Sequence, residues 1–158
     1  MITWVINMYI NIEFQEEYKR LDRLCKDCLN SKEGVSEYIR QMETTPIRDR
    51  NYVPTWNEDY KQLKHARWIR NQLSHEVGTL ECDFCTDEEL GFVIAFYNRI
   101  LRGDDPFSII QRSTQFKQKH YSNQPSKQDN SHRKEETKKA SENKLSIFDW
   151  MRKIFFGQ

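Results

Sequence analysis

At 158 residues the chain is long enough for one domain, or for one domain and a tail. A hydrophobic share of 37%, a charged share of 31% and a mean hydropathy of −0.91 exclude a spanning membrane protein, a collagenous chain and a wholly disordered one. The net charge of +1 conceals an acidic body and a basic tail: residues 1–116 carry 15 Lys/Arg against 19 Asp/Glu, and residues 117–158 carry 10 against 5.

The opening residues, Met1-Ile-Thr-Trp-Val-Ile-Asn, carry no basic leader and no small-residue cleavage site, so the expectation is a protein without a signal peptide, in the cytoplasm. Met8 is an alternative natural start. Residues 1–12 are partly alternating and β-branched, which predicts a short strand or an extended arm, and residues 1–13 are assigned to it. From Phe14 to Leu29 the pattern becomes helical. Phe14, Tyr18, Leu21, Leu24, Cys25, Cys28 and Leu29 recur at three- and four-residue steps. Asn30, Ser31 and Gly34 break that run. A shorter helix then carries Val35, Tyr38, Ile39 and Met42 on one side and ends at Thr44-Thr45-Pro46. Residues 46–55, bounded by Pro46 and Pro54, read as a loop.

The third helix is expected from Trp56 to about His75. After a connection over residues 76–85, Thr86-Asp87-Glu88-Glu89 is a helix start. Thr86 can accept from an amide three residues on, and Glu89 can reach back to the Thr86 amide. The fourth helix follows with Leu90, Phe92, Val93, Ile94, Phe96, Tyr97, Ile100 and Leu101, and stops at Gly103. Residues 114–143 are Gln, Lys, Ser, Asn, His and Glu with almost nothing apolar, too little to offset chain entropy, and are expected to form a disordered basic linker. Residues 144–158 differ. Leu145, Ile147, Phe148, Trp150, Met151, Ile154, Phe155 and Phe156 form an amphipathic end helix with Arg152 and Lys153 on its narrow polar side.

The third helix contains His65-Ala-Arg-Trp-Ile-Arg70-Asn71-Gln-Leu-Ser-His75. On a wheel of about 100° per residue, Arg70 falls inside the apolar arc of Leu63, Ala66, Ile69 and Leu73, while Asn71 and His75 lie one turn apart on its edge. A guanidinium on an apolar face must be paired. It therefore marks either a buried Arg–carboxylate bridge that fixes helix packing, or an anion site with Arg70 and His75 aimed at a phosphate. Lys61, Lys64, Arg67 and Arg70 do not make a basic stripe, because steps of three drift by about −60° each.

A mainly helical domain whose third long helix carries Arg70-Asn71-Gln72-Leu73-Ser74-His75 resembles the HEPN superfamily, helical bundles with an Arg-x(4–6)-His motif in which Asn often follows the Arg. The run-in from Tyr60 to Ile69 is also similar to that of small bacterial proteins of unassigned function. The resemblance covers residues 14–105. It implies an all-α bundle of about four helices, assigned to residues 14–113, and a homodimer with two motifs facing one cleft. It also implies metal-independent RNA cleavage, as in bacterial toxin or defence ribonucleases, with no cofactor. Arg70, Asn71 and His75 would be the catalytic residues. His75 would act as general base or acid on a ribose 2′-hydroxyl, Arg70 would stabilise charge on the phosphorane-like transition state, and Asn71 would orient the phosphate or His75. Many HEPN domains bind or scaffold without cleaving, which leaves a non-catalytic module as the alternative.

The four cysteines form two Cys-x-x-Cys pairs, Cys25/Cys28 and Cys82/Cys85. Such pairs can build a tetrahedral zinc site, here in a zinc-stabilised helical adaptor. However, 53 residues separate them, against about 15–20 in a zinc ribbon. Cys25 and Cys28 also sit at helical core spacing, and the expectation is reduced core or surface thiols and no metal. The end helix has three readings: docking on the body or a dimer mate, insertion into a partner groove, or lying on an anionic membrane surface.

Overall fold

A computed structural model of the chain describes residues 2–75 and 84–122, with side chains described for residues 8–74 and 84–116. Every regular element among them is a helix, so the fold is all-α. In order these are α1 (Ile2–Leu29), α2 (Gly34–Thr44), α3 (Ile47–Arg50), α4 (Trp56–His75), α5 (Asp87–Arg102) and α6 (Pro106–Ser122). The chain divides into two units, Met1–Gln111 and Arg112–Gln158. The described part of the second unit is the end of α6, where Phe116 is exposed.

α1 is the spine of the first unit and packs against α2, α4 and α5. Asn11, Phe14, Tyr18, Leu21, Cys25 and Cys28 are all buried, a stripe of alternating three- and four-residue steps down one face. The strand or arm expected over residues 1–13 is therefore not formed, and α1 begins at Ile2. The stripe extends upstream of Phe14 through a polar residue, Asn11, which is fully buried. An amide in a core position conceals the helical period from a reading of apolar residues alone.

α2 is joined to α1 by a tight turn that ends in a close approach. Asp22 Oδ1 accepts a hydrogen bond from the Val35 amide at 2.9 Å and so caps the N-terminus of α2 from across the turn. Gly34 makes this approach feasible. Its φ is +45°, and a Cβ there would stand 2.6 Å from the Asp22 carbonyl oxygen and closer still to the carboxylate. After α2, the segment expected as a loop contains the single turn α3. Arg50 fastens it by donating to the Thr45 carbonyl at 2.6 Å and the Glu43 carbonyl at 2.9 Å.

α4 and α5 are joined at one end by an ion pair between a buried Asp59 and a half-buried Arg99. Arg99 Nη1 and Nη2 donate to the two Asp59 carboxylate oxygens at 2.6 and 2.8 Å, and the Thr55 hydroxyl donates to Asp59 Oδ2 at 2.8 Å. α5 begins as its sequence predicts. Thr86 accepts from the Glu88 amide, and Glu89 Oε2 accepts from the Thr86 amide at 2.9 Å, closing the capping box. It ends at Gly103, in the left-handed conformation with φ 69°.

The disordered linker expected from residue 114 is corrected over residues 114–122, which belong to α6. Its start signal is Asp105-Pro106. The Asp105 carboxylate accepts from the Phe107 amide and the Ser108 hydroxyl, and proline at the first helical position has no amide to lose. Tyr38 Oη donates to Asp105 Oδ2 at 2.7 Å, and the Tyr38 ring meets Phe96 and Phe107 at 5.4 and 4.7 Å between centroids. Trp56 meets Phe107 at 5.9 Å, edge to face. One aromatic cluster thus joins α2, α4, α5 and the start of α6. The remainder of the linker and the end helix of residues 144–158 lie outside the described residues. Among the described residues no helix is long and apolar enough to cross a membrane.

Three substitutions test this packing. Arg99→Ala leaves Asp59 buried without its partner and should lower the unfolding free energy by about 3 kcal/mol in denaturant titrations. Gly34→Ala should cost about 2 kcal/mol or more, because a side chain is strained at that φ and collides with Asp22. Gly91→Ala, in the exposed middle of α5 with open space around it, should instead stabilise by about 0.5–1 kcal/mol.

Candidate functional site

α4 buries Trp56, Asp59, Leu63, Ala66, Ile69 and Leu73, and apart from Trp68 the rest of its circumference is mostly polar. Arg70 is exposed, which corrects the expectation of an inward, buried guanidinium. Its side chain lines an open depression of about 380 Å³. One wall is α1, with Tyr18, Asp22 and Lys26. The rim is the α1–α2 turn and the start of α2, with Lys32, Glu33 and Ser36. The other wall is α4, with Arg67, Arg70 and Asn71. The bearing read from the helical wheel therefore holds in part, since Arg70 shares this opening with α1 residues, but it meets water there.

Arg70 Nη1 donates to Asn71 Oδ1 at 3.0 Å. Among the described residues neither Arg67 nor Arg70 forms a carboxylate ion pair. The buried Arg–carboxylate bridge that the sequence allowed for Arg70 exists elsewhere, as Arg99–Asp59. The signal for it was an Asp in the first turn of one apolar helix and an Arg in the last turn of the next.

The other charges around the depression are partly committed. Lys26 Nζ lies 2.7 Å from Asp22 Oδ2, and the other oxygen of Asp22 caps α2. Tyr18 is buried beneath the opening. Burial, and then the Asp22 carboxylate, push its hydroxyl above the ordinary phenol range against the opposing pull of Arg70 and Arg67. It therefore stays a neutral O–H donor at any physiological pH. Two guanidinium groups without a carboxylate ion pair among the described residues, a phenol and an amide, beside Lys26 and Lys32, form a set of donors suited to an anion with several oxygens.

His75 is the last residue of α4, and its side chain lies outside the described residues. The structure thus brings Arg70 and Asn71 together, and sets His75 at the end of the same helix with its side chain outside the described residues. Arg67, which lies outside the motif read from the sequence, joins Arg70 at the depression.

The cysteines occupy a different environment. Cys25 and Cys28 lie in the buried stripe of α1, Cys85 is buried just before α5, and all three are free thiols. Cys82 lies outside the described residues. Among the described residues no group of His, Cys, Asp or Glu is placed to hold a metal ion. Burial pushes Cys25 well above the ordinary thiol value, and pushes Cys28 and Cys85 up to about 12.

Comparison with known families places the chain plainly in one of them. It belongs to a family of unknown function, DUF6548, whose model matches residues 12–154. No curated protein and no solved structure matches it.

The thiols generate a pH prediction. A folded-state value raised above the ordinary 9.0 means that the fold favours the protonated thiol. That contribution to stability is complete below pH 9.0 and declines as the pH rises toward about 12. Denaturation midpoints should therefore fall across this alkaline window. Cys25→Ser should unfold at lower denaturant at every pH, because it places a hydroxyl in a fully buried position. Alkylation of Cys25 and Cys28 in the native protein at neutral pH should be slow compared with the unfolded chain.

Proposed function

We propose that the chain is a metal-independent endoribonuclease of HEPN type, in which Arg70, Asn71 and His75 act on a phosphodiester. The observation that carries this reading is the state of Arg70. It is exposed in a depression beside Arg67 and steadied by Asn71, whereas a structural arginine would be consumed in a buried carboxylate pair.

In the proposed reaction the ribose 2′-oxygen attacks the adjacent phosphorus while His75 of one subunit takes its proton. The bond from phosphorus to the 5′-oxygen breaks, and that oxygen receives a proton from a protonated His75, supplied in a homodimer by the second copy. A 2′,3′-cyclic phosphate and a free 5′-hydroxyl remain. Imidazole suits both transfers because it titrates near neutrality. Arg70 offers fixed positive charge to the phosphorane oxygens, where it lowers the barrier more than it strengthens ground-state binding. Arg67 adds charge at the same wall. A bacterial toxin or defence setting suits such an activity.

A second reading, a binding module without cleavage, is favoured by Asp22 and Glu33. Both line the depression, and both oppose the build-up of negative charge that cleavage requires.

The test is incubation of the purified full chain with mixed single-stranded and transfer RNA in EDTA, beside Arg70→Ala and His75→Ala. The proposal expects cleavage by the wild type, products with cyclic phosphate ends, and a loss of about 10²-fold or more in each variant. Intact RNA after incubation with folded wild type, or cleavage undiminished in His75→Ala, would overturn it. Wild-type binding without cleavage would establish the second reading.

A further inference from the structure

Tyr18 is only 4% exposed, yet it lines the depression together with Arg67 and Arg70. Its ring packs against Phe14, one turn earlier in α1, with centroids 6.0 Å apart. Among the described residues its hydroxyl forms no hydrogen bond. The acceptor one turn further along α1, Asp22, is already engaged. Asp22 Oδ1 accepts from the Val35 amide at 2.9 Å, and Oδ2 lies 2.7 Å from Lys26 Nζ. A buried hydroxyl without a partner destabilises the free protein. This one is not sealed in the core, however, and the opening that Tyr18 lines is the depression.

Tyr18 and the arginines reach that opening from different helices. α4 presents Arg67 and Arg70, and Asn71 steadies Arg70. Tyr18 stands in the α1 wall. Beyond burial itself, the charges felt most strongly at its hydroxyl are those of Asp22, Arg70 and Arg67, and all three residues line the depression. An oxyanion placed there meets positive charge from one wall and a neutral O–H from the other. The shape of the anion then matters. A carboxylate offers two oxygens in one plane, which a guanidinium fork satisfies from one side. A phosphate is tetrahedral and directs oxygens out of any one plane, so both walls can bind it at once. A phenol also adds a hydrogen bond at a buried point of the site without the desolvation cost of a further buried cation.

We propose that Tyr18 is a specificity-determining residue of this site: its hydroxyl donates to an oxygen of the phosphate that Arg67 and Arg70 hold from the α4 wall, and so selects phosphate over carboxylate. This rests on the phosphodiester reading of the depression and adds the donor that defines its ligand class. It also gives the buried hydroxyl the partner that the described part of the fold does not supply.

The test measures the affinity of the full chain for two probes of equal charge. One is a short single-stranded oligonucleotide with 2′-O-methyl riboses, which cannot be cut by 2′-hydroxyl attack. The other is an oligoglutamate. Tyr18→Phe removes the hydroxyl and keeps the ring against Phe14. It should weaken binding of the oligonucleotide by about 10- to 100-fold, in line with the loss of one hydrogen bond to a charged group, and leave binding of the oligoglutamate unchanged. Its denaturation midpoint should equal or exceed that of the wild type, because the hydroxyl it removes has no partner in the described part of the fold. Arg70→Ala should weaken both probes. Equal binding of the oligonucleotide by wild type and Tyr18→Phe, with Arg70→Ala still impaired, would overturn the role of Tyr18 and leave the phosphodiester reading intact. Equal weakening of both probes in Tyr18→Phe would overturn the selection of phosphate over carboxylate. A lowered denaturation midpoint in Tyr18→Phe would overturn the inference by assigning the hydroxyl to the fold. Failure of folded wild type to bind the oligonucleotide would overturn the phosphodiester reading, and this inference with it.

Discussion

The Asp59–Arg99 pair is the interaction on which the arrangement of α4 depends. Asp59 is almost fully buried, and a carboxylate in that position is tolerated only with a matched partner. Both of its oxygens are engaged by one guanidinium, a fork that fits a single relative orientation. Its placement at helix ends reinforces it. Asp59 lies in the first turn of α4, where the helix dipole favours an anion, and Arg99 lies in the last turn of α5, where it favours a cation. Arg99 also donates to the Asp104 carbonyl, adjacent to the Asp105 cap that starts α6 and receives Tyr38. A shift of α4 by one turn would break the pair and disturb the aromatic cluster beside it.

That constraint explains why one helix face performs two tasks. Asp59 and Arg70 are separated by eleven residues, which returns them to bearings about 20° apart, about 16 Å along the axis. At the Asp59 end, α5 closes over the face. Toward Arg70 it opens into the depression shared with α1 and the start of α2. The opening keeps its shape because α2 is pinned there by the Asp22 cap and the glycine that permits it. A short polar turn thereby becomes a fixed rim, and the cations of α4 stand opposite a wall that is pre-organised without them.

The local signals in the sequence proved the most legible. Thr86 and Glu89 marked the start of α5 and Gly103 its end, because capping depends on a few neighbouring residues. The limits of α4 followed from its period. What stayed hidden depended on chain neighbours far away in sequence. Asn11 occupies a core position as an amide, so the helical stripe of α1 seemed to begin at Phe14. Asp105-Pro106 was a readable start signal, but after Phe107, Ile109 and Ile110 the residues are mostly polar and gave no sustained apolar face to carry the helix on to Ser122. For Arg70 the wheel gave a bearing and could not say whether protein or water lay along it. The membership of Arg67 in the depression was obscured for the same reason, since a charge sequence does not reveal where two helices diverge.

The acidic balance of residues 1–116 is a weak argument against an anion site once the pairs are assigned. Glu16, Glu17, Asp22, Glu37, Asp49 and Asp59 each face a Lys or Arg within 4 Å. Glu89 serves the α5 cap, and although burial pushes its carboxyl up, the hydrogen bonds from Thr86 outweigh this and hold it below the usual range. These carboxylates are paired locally, and at physiological salt exposed charges beyond about 8 Å are largely screened. A ligand in the depression is governed by what lies within that distance, where Arg67 and Arg70 have no carboxylate partner among the described residues. Net charge summed over a chain measures the long-range approach of a polyanion. Contact is decided by the few groups at the depression, where Arg67 and Arg70 on one helix stand against Glu33 on the opposite rim.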